Sequence, residues 1–226
     1  MSNTQTATKE NQSSGLLETR FFQSRTVIVA GEINDRLAQR VVKQLLALAE
    51  EGEAPINLII SSPGGHVESG DMVHDMIQFI RPQVRTIGSG WVASAGALIF
   101  VGAALEDRYC LPNTRFLLHQ PSGGIGGQAS DMEIQAEQIR QMRSRFEDIF
   151  AAATGQTKER IAQDTQRDFW LNTEAALDYG LVHKVIRSVD ELEWQARSNC
   201  VRPALKTAKP CGVFCGLPSA LVTAMR

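Results

Sequence analysis

A chain of 226 residues is long enough for one large domain, or at the limit two small ones. With 43% hydrophobic and 21% charged residues it buries an ordinary core, which excludes disorder throughout. The net charge of −2, from 23 Lys+Arg against 25 Asp+Glu, lacks the basic excess of nucleic-acid-binding proteins. Cys110, Cys200, Cys211 and Cys215 are too few and too unevenly spaced for a disulfide scaffold, so a reducing, cytoplasmic compartment is expected.

Three regions follow from the pattern along the chain. Residues 1–15 are polar, lack the apolar segment of a secretory signal, and read as a disordered arm. Residues 16–190 alternate β-rich runs with helical patterns, the signature of an α/β domain. Residues 191–226 form a tail without a clear period, holding three of the four cysteines.

Within the body, Thr26–Val29 is a strand closed by a turn over Gly31–Asp35. Leu37, Val41, Leu45 and Leu48 mark one face of a helix that ends near Gly52. Ile56–Ile60 reads as a short strand of the fully buried kind, followed by the turn Ser61-Ser-Pro-Gly-Gly65. A helix through Val67, Val73, Ile77 and Ile80 stops at Pro82. Strand Val84–Ile87, turn Gly88–Gly90 and a helix from about Ala93 repeat the cycle. The uncharged run Thr86–Leu105 is nominally long enough for a membrane span, but its glycines and serines favour a buried turn and helix. Strand Arg115–His119 leads into the glycine run 123–127 and then the longest helix, about Ser130 to Ala153. There Met132, Ile139, Met142, Phe146, Ile149 and Ala153 form a packing seam for another helix. Thr173 is expected to cap a short helix ending at Gly180, before a last strand Leu181–Ile186.

Three glycine-bearing junctions at strand ends, Ser61–Gly65, Gly88–Gly96 and His119–Gly127, are where an α/β fold places a site. Gly88-Ser-Gly90-Trp-Val-Ala93 fits a dinucleotide fingerprint. However, only twelve residues separate Ala93 from Glu106, too few for a helix and a second strand. Ser94, flanked by Ala93, Ala95 and Gly96, is either an accessible hydroxyl or a helix cap. Of the four histidines, His119 ends an apolar strand and projects from its terminus. His74 reads as a surface group, His183 as part of the last strand, and His66 as a pocket-lining residue. No metal spacing occurs among them. Asp168, beside Phe169 and Trp170, is expected to be partly buried and in need of a partner. These residues allow a Ser–His–Asp reading that spacing alone does not prove.

Ser61-Ser-Pro-Gly-Gly65, Gly90-Trp-Val-Ala-Ser94-Ala-Gly96, Leu118-His119-Gln-Pro121 and Gln166-Arg-Asp168 with Tyr179-Gly-Leu occur in one register. In this order the sequence resembles the ClpP family, the proteolytic subunits of the ATP-dependent Clp protease, over about residues 19–190. The resemblance implies a spiral of β-β-α units with a protruding helical handle, shared in outline with the crotonase fold. It implies a serine endopeptidase with Ser94 as nucleophile, His119 as base and Asp168 as the residue that orients it. Backbone N–H groups of Gly65 and Ala95 would form the oxyanion hole, and Gly64, His66, Val67, Pro121 and Ser122 would line the substrate.

The implied assembly is two stacked seven-membered rings, a tetradecamer of this chain, with room for a second ClpP-type subunit. An AAA+ Clp unfoldase would feed it unfolded polypeptides and use the ATP, so no cofactor is expected in this chain and neither nucleic acid nor membrane is a partner. Several residues depart from the family pattern. Only a short polar arm precedes Leu16, Gln166 stands where an acid is common, His66 where an apolar residue is usual, and His183 where Asp is usual. Two other readings are a catalytically weak ring subunit acting through co-assembly and a crotonase-fold acyl-CoA enzyme.

Overall fold

A computed structural model describes residues 15–121 and 126–192. The compact unit runs to Val189, and the cysteines of the tail, with residues 122–125, lie outside the described residues.

Helix α1 (residues 15–23) leads into β1 (Thr26–Ala30). Helix α2 (Asp35–Glu51) starts where the Asn34 side chain accepts from the Leu37 N–H at 3.0 Å, satisfying one free donor of the first turn. Its expected face is real: Leu37, Val41, Leu45 and Leu48 are all buried, each contributing about 2 kcal/mol of apolar burial. Strand β2 (Ile56–Ser62) runs two residues further than the sequence predicts and alternates between buried and half-buried positions. Only one of its faces is fully covered, which corrects the expectation of a strand buried on both. Helix α3 (Val67–Phe79) ends before Pro82 as expected.

The largest departure is β3 (Val84–Ala93), which passes straight through Gly88–Gly90 where a turn was expected. Its first half pairs with β4 (Arg108–Cys110) and its second half with β5 (Arg115–Leu118), both in parallel. Gly90, at φ +67°, and a register shift against β2 bend the strand so that it can change partners. Helix α4 (Ala95–Phe100) therefore starts two residues later than expected. The main path is β1-β2-β3-β4-β7, all parallel, and β6 (Phe169–Leu171) joins antiparallel to β5. Strand β7 is only Lys184–Val185, shorter than expected, and the N–H groups of His183 and Ile186 on either side of it donate to the Arg108 and Cys110 carbonyls of β4, both at 2.9 Å.

Helix α5 (Ala129–Thr154) matches the expected longest helix. The seam is filled only near its C-terminal end, where Phe146 and Phe150 are buried with ring centroids 4.3 Å apart. Met132 and Ile134, 39% and 63% exposed, lie on the projecting half. Helix α6 (Lys158–Asp164) precedes β6, and α7 (Thr173–Asp178) follows it. Asn172, not Thr173, caps α7: its side chain accepts from the Ala175 N–H at 2.8 Å. Gly180, at φ +79°, closes that helix as expected. The arrangement is α/β, with α2, α3 and α4 contributing to one core against the sheet. Among the described residues no helix is long and apolar enough to cross a membrane.

Candidate active site

Ser94 sits between the last residue of β3 and the first of α4, with φ +54° and ψ −120°. A side chain in that region costs about 1–3 kcal/mol, and the surrounding bonds hold it there. Its N–H donates to the Leu117 carbonyl at 2.9 Å, and its carbonyl accepts from Leu98 at 3.1 Å. The hydroxyl caps nothing, which corrects the helix-cap reading: the residue occupies the cap position without making the cap bond. The side chain is half-buried and free for other work.

The Ser61–Gly65 turn packs directly on this serine. A Cβ placed on Gly64, at φ +96°, would come within 2.6 Å of the Ser94 Cβ and 2.8 Å of the Ala93 carbonyl. Only glycine allows that approach. Ser62 fastens the turn, donating to the Gly31 carbonyl at 2.6 Å and accepting from the Gly64 N–H at 3.0 Å. Ile33 bridges alongside: its N–H donates to the Gly64 carbonyl and its carbonyl accepts from His66, both at 2.8 Å. The Gly65 N–H takes no part in that bridge. The Ala95 N–H is one of the first-turn donors that a helix leaves unused. Gly64, one residue before Gly65, lies against Ser94, Ala93 and the Ala95 N.

Strand register brings the other two candidates alongside. Ala93 pairs with Leu117 on β5, so Ser94 and His119 leave neighbouring strand ends. Leu118 pairs with Phe169 in the last rung against antiparallel β6, so His119 follows one paired residue and Asp168 precedes the other. The His119 Nδ1 lies 2.8 Å from the carbonyl of Gln120. A carbonyl only accepts, so Nδ1 carries the proton, and in the neutral ring Nε2 keeps its lone pair. Among the described residues neither a Ser94–His119 nor a His119–Asp168 hydrogen bond forms. Asp168 is exposed, correcting the expectation of partial burial: β6 is an edge strand, and Trp170 beside it is itself 45% exposed.

His66 stands exposed at the start of α3, with Nδ1 2.9 Å from the Ser69 hydroxyl and Nε2 3.2 Å from the Glu68 carboxylate. Ser69 in turn donates to Asp35 at 2.6 Å. Val67 opens α3, Pro121 is half-buried beyond His119, and Ser122 lies outside the described residues. His74 is buried, not a surface group, with Asp75 and Gln78 on its ring nitrogens. His183 is exposed, with its ring edge-on to Tyr109. Among the described residues no group of three or more His, Cys, Asp or Glu could hold a metal.

Two contributors receive no role from the sequence. Ile33, whose backbone holds the glycine turn, gives no signal beyond its place after Gly31. Gln120 fixes the His119 proton through its carbonyl and ties the two loops together, its N–H donating to Thr165 at 3.0 Å and its side chain to the Gln166 carbonyl at 3.3 Å.

Residues 9–189 match the family model described as Clp protease. The chain is 74% identical over 167 residues to the ATP-dependent Clp protease proteolytic subunit of Paracoccus denitrificans, spanning 74% of this chain and 84% of that one. It is 57% identical over 175 residues to proteolytic subunit 3 of Rhizobium meliloti, spanning 77% and 90%. Among solved structures, a ClpP1 point mutant from Listeria monocytogenes superposes with a TM-score of 0.73 at 48% identity, covering 78% of this chain and 99% of that one. The unmutated ClpP1 of the same organism gives 0.71 at 47% identity.

Proposed function

The chain belongs to the Clp protease family, as a proteolytic subunit, and we propose that it is a serine endopeptidase acting through Ser94, His119 and Asp168. The observation that carries this reading is the strained, uncapped Ser94 lying against a glycine turn. In the proposed reaction His119 Nε2 takes the hydroxyl proton as Ser94 Oγ attacks the peptide carbonyl. The Gly65 and Ala95 N–H groups receive the negative charge that develops on the carbonyl oxygen, each worth about 3 kcal/mol of barrier. His119 then returns the proton to the leaving amine, and water repeats the cycle on the acyl-enzyme. Asp168 becomes the Nδ1 partner when the His119 ring leaves the Gln120 carbonyl, holding the same tautomer and stabilising the imidazolium.

The substrate is an unfolded polypeptide held in extended form beside Gly64, His66 and Val67 on one side and Pro121 and Ser122 on the other. The subunit works in a ClpP-type assembly, here taken as two seven-membered rings in the cytoplasm, where seclusion protects folded proteins. An AAA+ unfoldase supplies substrate and spends the ATP, so this chain needs no cofactor. Residues 16–190 carry the chemistry. Hydrolysis of an unfolded test protein by the parent and none by Ser94→Ala, with both the same size in solution, is the expected result. Equal hydrolysis by the two would overturn the reading.

A second reading draws on the His119–Gln120 contact: the subunit is weak alone and is aligned by another ClpP-type subunit. Mixing the two would then raise peptidase activity above the sum of the parts. A purely additive mixture would reject it.

A further inference from the structure

Arg108, the first residue of β4, is 4% exposed, and among the described residues it makes no ion pair. Its guanidinium is given over to backbone. Nε donates to the Ala103 carbonyl at 2.8 Å, one terminal nitrogen to Ala153 at 2.7 Å, and the other to Val101 at 3.4 Å. Val101 closes α4, Ala103 follows it, and Ala153 lies in the last turn of α5. Helix ends leave unsatisfied carbonyls and carry partial negative charge, so one buried cation satisfies two helix ends at once.

The other end of α4 is the Ser94 turn. Six residues of helix rise about 9 Å and behave as a rigid rod, so a shift at Val101 is delivered to Ser94. Thr86 on β3 holds the Phe100 carbonyl at 3.0 Å, so the strand fixes that end from one side and Arg108 from the other. Of the ionisable groups near Arg108, Asp107 accepts from Gln83 at 2.7 and 2.8 Å and His74 meets Asp75, while Glu106 favours the guanidinium through its charge without forming an ion pair with it. Arg108, Val101, Ala103 and Ala153 all line one open cavity of about 670 Å³ between α3, α5 and the Leu105–Asp107 turn.

We infer that Arg108 is a positioning residue that locks the helix behind Ser94 to the C-terminal end of α5, so that Ser94 reactivity follows the placement of α5. The inference rests on Ser94 being the nucleophile. Arg108→Ala leaves three carbonyls facing a gap that opens onto the cavity, and added guanidinium can fill it.

The test compares the rate of Ser94 labelling by a fluorophosphonate in the parent, Arg108→Ala and Arg108→Lys. Alongside it, peptide kcat and KM, sedimentation and amide exchange of α4 are measured. Arg108→Ala should label at least about tenfold more slowly, and its kcat should fall with KM nearly unchanged, the pattern of a lost transition-state interaction. About 20 mM guanidinium, far below denaturing concentrations, should restore several-fold of the rate, and equal ammonium should not. Arg108→Lys, which keeps the charge but can reach fewer carbonyls, should fall between the two and serves if the alanine variant does not fold. Parental labelling in either variant, or a slow alanine variant indifferent to guanidinium, overturns the inference. If the parent itself does not label, the nucleophile reading has failed. The lock then stands or falls on whether α4 exchange rises in Arg108→Ala and is suppressed again by guanidinium.

Discussion

Replacing Gly64 by alanine tests the contact on which the site is built. The backbone at φ +96° is one that a side chain occupies at a cost of about 1–3 kcal/mol. The added methyl meets the Ser94 Cβ at 2.6 Å and the Ala93 carbonyl at 2.8 Å, where ordinary contact is about 3.5–4 Å. One partner must move by about an ångström, and displacement of that size at a reacting group costs on the order of a hundredfold in rate. The forced contact adds about 1 kcal/mol and the stiffer unfolded chain returns about 0.5 kcal/mol, leaving a net loss of stability of about 1.5–3.5 kcal/mol. For a domain of this size that is a fall in Tm of about 5–10 °C. Gly52→Ala is the control, since a methyl there meets nothing within 4 Å and the backbone, at φ 161°, is extended. The assay is single-turnover fluorophosphonate labelling at a temperature where both variants are folded. Gly64→Ala labelling at the parental rate would refute the claim that this turn shapes the nucleophile's seat.

Ser94→Gly removes the side-chain strain at φ +54° and should raise Tm by about 2–4 °C while abolishing hydrolysis; an unchanged or lower Tm would show the turn to be unstrained. Burial holds the Asp107 carboxyl above its usual range, against the opposing Gln83 hydrogen bond, so the native state binds the proton more tightly than the unfolded one. Stability from this group is therefore full below the ordinary carboxylate range and falls as pH rises through the raised native value. The Tm of Asp107→Asn should rise relative to the parent's as pH climbs above the ordinary carboxylate range, and parallel Tm–pH curves would contradict that sign. Burial also pushes the Cys110 thiol up to about 12, so iodoacetamide at pH 8.5 should spare Cys110 in the native protein and modify it after denaturation, as peptide mapping would show.

How much of this was legible depended on whether local pattern and tertiary need agreed. Helix α2 announced itself because its apolar period and its buried face coincide, whereas its Asn34 cap sat unread inside the Gly31–Asp35 turn. At Ser94 the local pattern favoured a cap, and the structure shows the cap position without the cap bond, a conformation that only the fold sets. Gly88–Gly90 misled because glycine marks turns in isolation. Here its freedom serves a strand that bends between two partners, and pairing across β4 and β5 is invisible in a linear pattern. Asp168 misled for a related reason: aromatic neighbours suggest burial, but edge strand β6 turns Trp170 and Asp168 outward. His74 was misread because flanking aspartates look solvated, although its own ring faces inward from α3. Arg108 gave no signal at all, since its partners are carbonyls brought together only by the fold.

The central claim is an activated serine at position 94, and intact mass after treatment with a fluorophosphonate tests it most directly. One adduct on the parent and none on Ser94→Ala is the predicted result. An adduct of equal yield on both proteins would place the reactive group elsewhere and contradict the account.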